Sequence, residues 1–158
     1  MRADVPVACC LSGGLDSSSV SAVASALSDY RMSAFTACFE DLSMDEWSWA
    51  EHIHRLNRVD PIAVTAKPEA FWGELQSLIR AQEEPVAGPG VYAQWSVMKA
   101  IKERGIRVTL DGQGGDELRC GYAKFFYWSL RELVRRGRVL SAGVSALDGL
   151  LRGGSYLF

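Results

Sequence analysis

Residues 5–27 read VPVACCLSGGLDSSSVSAVASAL. The apolar run Val5–Leu11 predicts a buried strand, and the residues from Asp16 or Ser17 to Ser28 predict a helix. Glycines in the turn between them let the backbone approach a ligand closely. The N–H groups and the dipole at the start of a helix attract negative charge. The segment therefore predicts a phosphate site.

Polar side chains around this turn add to the prediction. The hydroxyls of Ser12, Ser17 and Ser18 supply further donors. The Asp16 carboxylate would repel a phosphate unless a cation bridged the two, and Mg²⁺ is the usual bridge. The alternative is a strand-to-helix turn that binds nothing. The spacing matches neither the lysine-containing phosphate loop nor the dinucleotide-binding fingerprint.

A second glycine-rich segment, LDGQGGDE, occupies residues 110–117. It follows a predicted strand, Ile106–Leu110, and residues 111–117 are predicted to form a loop. Its glycines, Gly112, Gly114 and Gly115, would again open the backbone to a ligand. Two adjacent acids, Asp116 and Glu117, favour a Mg²⁺ role over general acid–base catalysis. The alternative is a flexible turn with an acid at a helix N-cap.

Strand and helix signals alternate along the remainder of the chain. This alternation predicts a parallel sheet with helices on both faces, and the carboxyl ends of the first and fourth strands should face one cleft. The other predicted strands are Ser33–Phe39 and Pro61–Thr65. The other predicted helices are Asp45–Asn57 with Asp45 as N-cap, Pro68–Gln82, Val91–Arg104 ended by Gly105, Tyr122–Arg136 and Val139–Leu151.

Composition narrows the class of protein. The 158 residues are 48% hydrophobic and 23% charged, which fits one globular domain, and the net charge of −2 argues against a nucleic-acid partner. The four cysteines include no Cys-x-x-Cys pair, which argues against a zinc site, and they favour a reducing, cytoplasmic location. We expect no signal peptide and no membrane span. His52 and His54 are predicted to be surface residues.

The first segment resembles the pyrophosphate loop of the ATP pyrophosphatase superfamily. Together, the two segments resemble the synthetase domain of the glutamine-dependent asparagine synthetase family, in which they also lie about a hundred residues apart. The resemblance covers about residues 3–127. It implies an α/β three-layer sandwich with a mostly parallel sheet, similar to the adenine nucleotide alpha hydrolases. We expect an ATP-binding core over residues 1–127 and a truncated helical extension over residues 128–158.

The resemblance also implies ATP and Mg²⁺ as ligands, a small-molecule carboxylate as substrate, and roles for individual residues. The residues expected to hold the ATP phosphates are Ser12, Gly13, Gly14, Ser17 and Ser18. Asp16 and Asp116 are expected to bind Mg²⁺ with pyrophosphate. The adenine would be bordered by Leu11, Ala37 and Cys38, and the nucleotide would also meet the backbone of Gly112. With Asp16 and Asp116, Gln113 completes the expected catalytic set.

Departures from the family pattern keep the function open. Gln113 stands where many asparagine synthetases have glutamate. The enzyme could therefore be an amidotransferase or cyclase of secondary metabolism that acts on another acyl substrate. Arg119 and Cys120 are also atypical. The family's glutaminase domain and the lysine that assists adenylation have no counterpart in these residues, so a glutaminase domain or subunit is expected as a partner. The alternatives are a catalytically silent nucleotide-binding fragment or scaffold, and a tRNA-modifying enzyme, which the acidic composition disfavours.

Overall fold

The computed structural model describes residues 1, 3–40, 45–86, 88–119 and 122–151. The chain divides into two compact units, residues 1–112 and 113–158. Within the described ranges, no helix has the length and apolar character that crossing a bilayer requires. The predicted division into residues 1–127 and 128–158 stays a prediction.

A four-stranded parallel sheet forms the centre of the first unit. Its strands are β1 (Val7–Cys10), β2 (Ser33–Cys38), β3 (Asp60–Thr65) and β4 (Val108–Leu110). The strand order is β3-β2-β1-β4, and every pairing is parallel. Since β1 and β4 are neighbours, their carboxyl ends lie side by side, as the sequence predicted.

Helices cover both faces of this sheet. They are α1 (Leu15–Ala26), α2 (Trp47–Asn57), α3 (Pro68–Gln82) and α4 (Pro89–Glu103). On one face, Cys9 and Ala34 pack with Ala24 of α1 and Ala50 of α2. The opposite face buries a second cluster against α4, made of Ala8, Phe35, Val97 and Ile101. Alternate strand residues point to opposite faces, and the predicted three-layer α/β fold is confirmed.

The start of α2 differs from the prediction. Asp45 was predicted to cap α2, but the helix begins at Trp47 and its N-cap is Glu46. The Asp45 Oδ1 instead accepts a hydrogen bond of 3.3 Å from the Phe39 N–H. The carboxylate therefore secures the chain just beyond β2 rather than the helix terminus.

The second unit is helical, with α5 (Gly115–Arg119), α6 (Ala123–Arg135) and α7 (Val139–Leu151). The last two form a hairpin in which a Cβ added to Gly149 would lie 2.8 Å from the Phe126 ring. Residues 111–117 were predicted as one loop, and α5 corrects this. Two adjacent acids at its start favour a helix N-terminus, because they face the positive end of the dipole. Cys120 lies outside the described residues.

Helices α3 and α4 are joined by a polar contact. The Glu74 Oε1 accepts a hydrogen bond of 2.7 Å from Lys99 Nζ, and its Oε2 accepts one of 3.0 Å from the Tyr92 hydroxyl. The hydrogen bond from Lys99 holds the pKa of the Glu74 carboxyl below its usual range. The carboxylate form is therefore favoured in the folded chain.

Replacing Glu74 with glutamine should lower the free energy of unfolding by about 1 kcal/mol at pH 7. Since folding lowers this pKa, the contribution is present above the unfolded value and is lost as pH falls towards the folded value. We expect the difference to shrink below about pH 4. Urea denaturation of both proteins at pH 7 and below pH 4 measures this difference in stability. A double-mutant cycle with Lys99→Met isolates the contribution of the Glu74–Lys99 pair. Equal stabilities of Glu74→Gln and the unsubstituted chain at pH 7 would refute the prediction.

Candidate functional site

A tight turn joins β1 to α1, and we call residues 12–14 the first glycine loop. Gly13 has a φ of +82°, and Gly14 is the N-cap of α1. The first helical hydrogen bond runs from the Ser18 N–H to the Gly14 carbonyl, at 3.0 Å. The N–H groups of the preceding helical residues therefore have no acceptor within the helix, which makes this helix start suited to an anion.

Helix α2 lies directly against this loop. A Cβ added to Gly13 would lie 2.7 Å from the Trp49 Cβ and 2.8 Å from the Ala50 nitrogen. Both the positive φ and the close backbone therefore require glycine. The Trp49 side chain is 71% exposed, so its indole stands in solvent beside the loop.

Serine hydroxyls have two different roles here. Ser17 is buried, and its Oγ donates to the Gly14 carbonyl at 3.2 Å, accepts from the Ser12 N–H at 3.2 Å and lies 3.0 Å from Ser12 Oγ. It holds the loop in shape from inside. Ser12 is exposed, while the buried Oγ of Ser18 has no hydrogen-bond partner among the described residues. Because the single hydrogen of the Ser17 hydroxyl points to the Gly14 carbonyl, the Ser12 hydroxyl donates to Ser17 Oγ here, and a ligand would have to take that hydrogen from Ser17. The Ser18 hydroxyl is the one without an acceptor among the described residues.

Asp16 stands in the first turn of α1. Its side chain is half-buried, and its Oδ1 is enclosed by protein. A carboxylate at a helix start beside a glycine turn has the oxygen chemistry that Mg²⁺ prefers, so the residues present fit the predicted ion.

The second glycine-rich segment starts at the same edge of the sheet. Gly112 follows β4, and a Cβ added to it would lie 2.7 Å from the Ser17 nitrogen and 3.2 Å from the Asp16 carbonyl carbon. Its backbone therefore packs on the start of α1. Nearby, burial and then the charge of Asp111 raise the pKa of the Cys10 thiol to about 11. Cys10 is thus a neutral thiol and no nucleophile at pH 7.

The residues predicted to border an adenine lie at the ends of β1 and β2. Leu11 is 2% exposed and its side chain belongs to the core, so a ligand could meet only its backbone. Ala37 and Cys38 are half-buried at the last positions of β2. Burial, with a smaller effect of Asp45, raises the pKa of the Cys38 thiol, which keeps it neutral.

Gln113 and Asp116 belong to the second unit. Both are exposed, Asp116 in the first turn of α5, and the intervening Gly114 has a φ of +85°. Glu117 raises the pKa of the nearby Tyr122 hydroxyl. The predicted sharing of Mg²⁺ between Asp16 and Asp116 stays a prediction.

One buried polar residue of α2 was predicted wrongly. His54 was predicted on the surface, but it is 2% exposed and its Nε2 lies 3.4 Å from the Thr36 hydroxyl. His52 is exposed, as predicted. The spacing held a signal, because His54 lies one helical turn after Ala50 and so shares its buried face.

Comparison with known proteins shows what this chain is similar to. The family model for asparagine synthase matches residues 1–153. The glutamine-hydrolyzing asparagine synthetase 1 of Bacillus subtilis is 33% identical over 122 residues, which are 77% of this chain and 19% of that protein. Two fungal proteins named amidases are also similar: chyE of Penicillium rubens, at 31% identity over 139 residues, and chry2 of Gibberella zeae, at 30% over 146 residues.

These two matches cover 79% and 84% of this chain, and 21% and 22% of the fungal proteins. The chain thus spans about a fifth of the length of the relatives it matches. The family match nevertheless includes both glycine-rich segments and the whole described sheet. The chain belongs to the asparagine synthase family, whose members are ATP-dependent amide-forming enzymes.

Proposed function

We propose that the chain is the nucleotide-binding part of an enzyme that adenylates a carboxylate, releases pyrophosphate and passes the acyl group to ammonia. The observation that carries this is the contact of Gly112 with the start of α1. It brings the beginning of the second glycine-rich segment against the start of α1, just after the first glycine loop, at the end of the sheet where such folds bind ligands.

The donors at the first glycine loop suit the phosphates of ATP. The N–H groups at the start of α1 and the hydroxyls of Ser12 and Ser18 would bind phosphate oxygens, while Ser17 keeps the loop in shape. Asp16, with Asp116, would hold Mg²⁺, which when bound neutralises charge on the leaving pyrophosphate. Fixed donors aimed at that charge would lower the barrier to adenylation.

The acyl substrate is an open part of the proposal. Gln113 carries a neutral amide, which cannot take up a proton as a carboxylate does. The relatives' names include both asparagine synthetases and amidases, so aspartate and other small carboxylates are both candidates. A glutaminase domain or subunit would supply ammonia, and the reaction would take place in the cytoplasm.

Trp49 should report nucleotide binding. Its exposed indole stands beside the first glycine loop, so bound phosphates should change its solvent contacts and its emission. We expect MgATP to change the tryptophan fluorescence saturably. Trp49→Phe should abolish most of the change, while Trp72→Phe, which removes a similarly exposed indole from α3, should leave it intact. An unchanged signal in Trp49→Phe would place the nucleotide elsewhere.

The identity of the reaction products tests adenylation. With Mg²⁺, ATP and a panel of carboxylates that includes aspartate, we expect AMP and pyrophosphate. Formation of ADP and phosphate would contradict the proposal. A second candidate is a catalytically silent nucleotide-binding module, which the neutral amide of Gln113 in the predicted catalytic set favours. Saturable ATP binding without any product would support that candidate.

A further inference from the structure

The His54 ring of α2 is buried against Thr36 of β2. His54 and Thr36 are 2% and 1% exposed, and the His54 ring centroid lies 5.6 Å from that of Trp47. Burying an imidazole and a hydroxyl costs free energy that apolar side chains of similar size would avoid. A polar pair at this position therefore suggests a purpose other than packing.

The hydrogen bonds of this pair define the ring's tautomer. The Thr36 hydroxyl lies 2.6 Å from the Leu11 carbonyl oxygen, which can only accept. Its single hydrogen must point there, so its lone pair faces His54 Nε2, which carries the ring proton. Nδ1 is buried, and no hydrogen-bond partner for it is found in the described part of the chain.

The ring is neutral at pH 7. Burial lowers the pKa of His54 below its usual range, and Glu51, one turn earlier on α2, opposes this only in part. The group of β2 that meets the ring is the Thr36 hydroxyl, which carries no charge. The tautomer with hydrogen on Nε2 is thus the form present when the loop has this geometry.

The chain leading into the loop is fixed on both sides. The Leu11 N–H donates to the Phe35 carbonyl at 2.8 Å, and its carbonyl accepts from Thr36. Leu11 is the last residue before the first glycine loop, so its position sets where the loop begins.

Helix α2 also contacts the helix that follows the loop. Asn57, three residues after His54, donates from Nδ2 to the Ser18 carbonyl and to Ser21 Oγ, both at 3.3 Å. One face of α2 therefore fixes the chain before the loop and the helix after it.

We propose that His54 is a positioning residue for the ATP phosphates: its Nε2–H orients the Thr36 hydroxyl onto the Leu11 carbonyl and so fixes the start of the first glycine loop. This inference rests on the proposed function. On this proposal α2 contributes to nucleotide binding indirectly, because His54 acts through Thr36 and does not contact the ligand.

Matched variants test this through MgATP affinity, measured by calorimetry at a temperature where each variant is folded. Thr36→Val and His54→Leu remove the hydroxyl or the donor, and each should weaken binding about tenfold. Thr36→Ser and His54→Gln keep a hydroxyl and an N–H donor, so they should bind within about twofold of the unsubstituted chain. Because the pair acts in series, the double variant Thr36→Val/His54→Leu should bind no more weakly than Thr36→Val alone.

Full affinity in folded Thr36→Val and His54→Leu, with only lower unfolding midpoints, would overturn the proposal and leave a structural role. Failure of the unsubstituted chain to bind MgATP would instead refute the proposed function. A second measurement needs no substitution of His54 or Thr36. ¹⁵N NMR reports which ring nitrogen of each of the two histidines carries hydrogen, and His52→Gln assigns their signals. We expect hydrogen on Nε2 of His54 at pH 7, and hydrogen on Nδ1 would overturn the proposal.

Discussion

Gly13→Ala should lower the free energy of unfolding by about 3 kcal/mol. The residue has a φ of +82°, which costs a residue with a side chain about 1–2 kcal/mol. The added methyl would also lie 2.7–2.9 Å from atoms of Trp49 and Ala50, two of them backbone atoms that cannot rotate away. Overpacking of this kind costs a further 1–3 kcal/mol or so. Urea denaturation followed by circular dichroism measures the change.

Gly14→Ala is the matched control. Gly14 has φ and ψ of −67° and 160°, which any residue adopts, and a Cβ there would meet only the Ser12 hydroxyl, at 3.3 Å. We expect this variant to lose no more than about 1 kcal/mol. If both variants lost the same stability, the packing of α2 on the loop described above would be wrong.

Gly112→Ala should weaken MgATP binding at least tenfold, a difference of about 1.4 kcal/mol. The added methyl would lie 2.7 Å from the Ser17 nitrogen and 3.1 Å from its Cα. Since both are backbone atoms, the start of α1 must move away from β4, and the N–H groups proposed to bind phosphate move with it. Titration of the variant with MgATP, followed by tryptophan fluorescence, measures the loss of affinity.

A glycine elsewhere in the same unit provides the control. Gly73 lies inside α3, where an added Cβ has no atom within 4 Å. Gly73→Ala should stabilise the chain by up to about 1 kcal/mol and leave ATP affinity unchanged, because alanine is the better helix former. Undiminished affinity in Gly112→Ala would remove the observation on which the proposed function rests.

Local signals in the sequence predicted most of the architecture. Helix α3 was predicted with both ends correct, because Pro68 suits a first helical turn and the apolar spacing continues to Gln82. Gly105, predicted to stop α4, follows it with a φ of +73°. Alternation of strands and helices was enough to predict the parallel sheet, since that topology leaves few alternatives.

Long-range contacts explain what the sequence could not predict. The burial of His54 depends on Thr36, 18 residues earlier in the chain, and no local pattern records that pairing. Aspartate is a residue type favoured at helix N-caps, yet the Asp45 carboxylate accepts its hydrogen bond from the Phe39 N–H. Gly13 was predicted as a ligand contact, but its contact with Trp49 also requires glycine. A pattern identifies the residue types of a site, whereas packing decides which role each takes.

Calorimetric titration of the chain with ATP, with and without Mg²⁺, tests the central claim most directly when it is repeated on Asp16→Asn. We predict binding that Mg²⁺ strengthens at least tenfold, a dependence lost in Asp16→Asn and kept in the control Asp29→Asn, which changes an exposed acid. Magnesium-dependent binding of equal strength in Asp16→Asn would contradict the assignment of the ion and pyrophosphate to the first glycine loop.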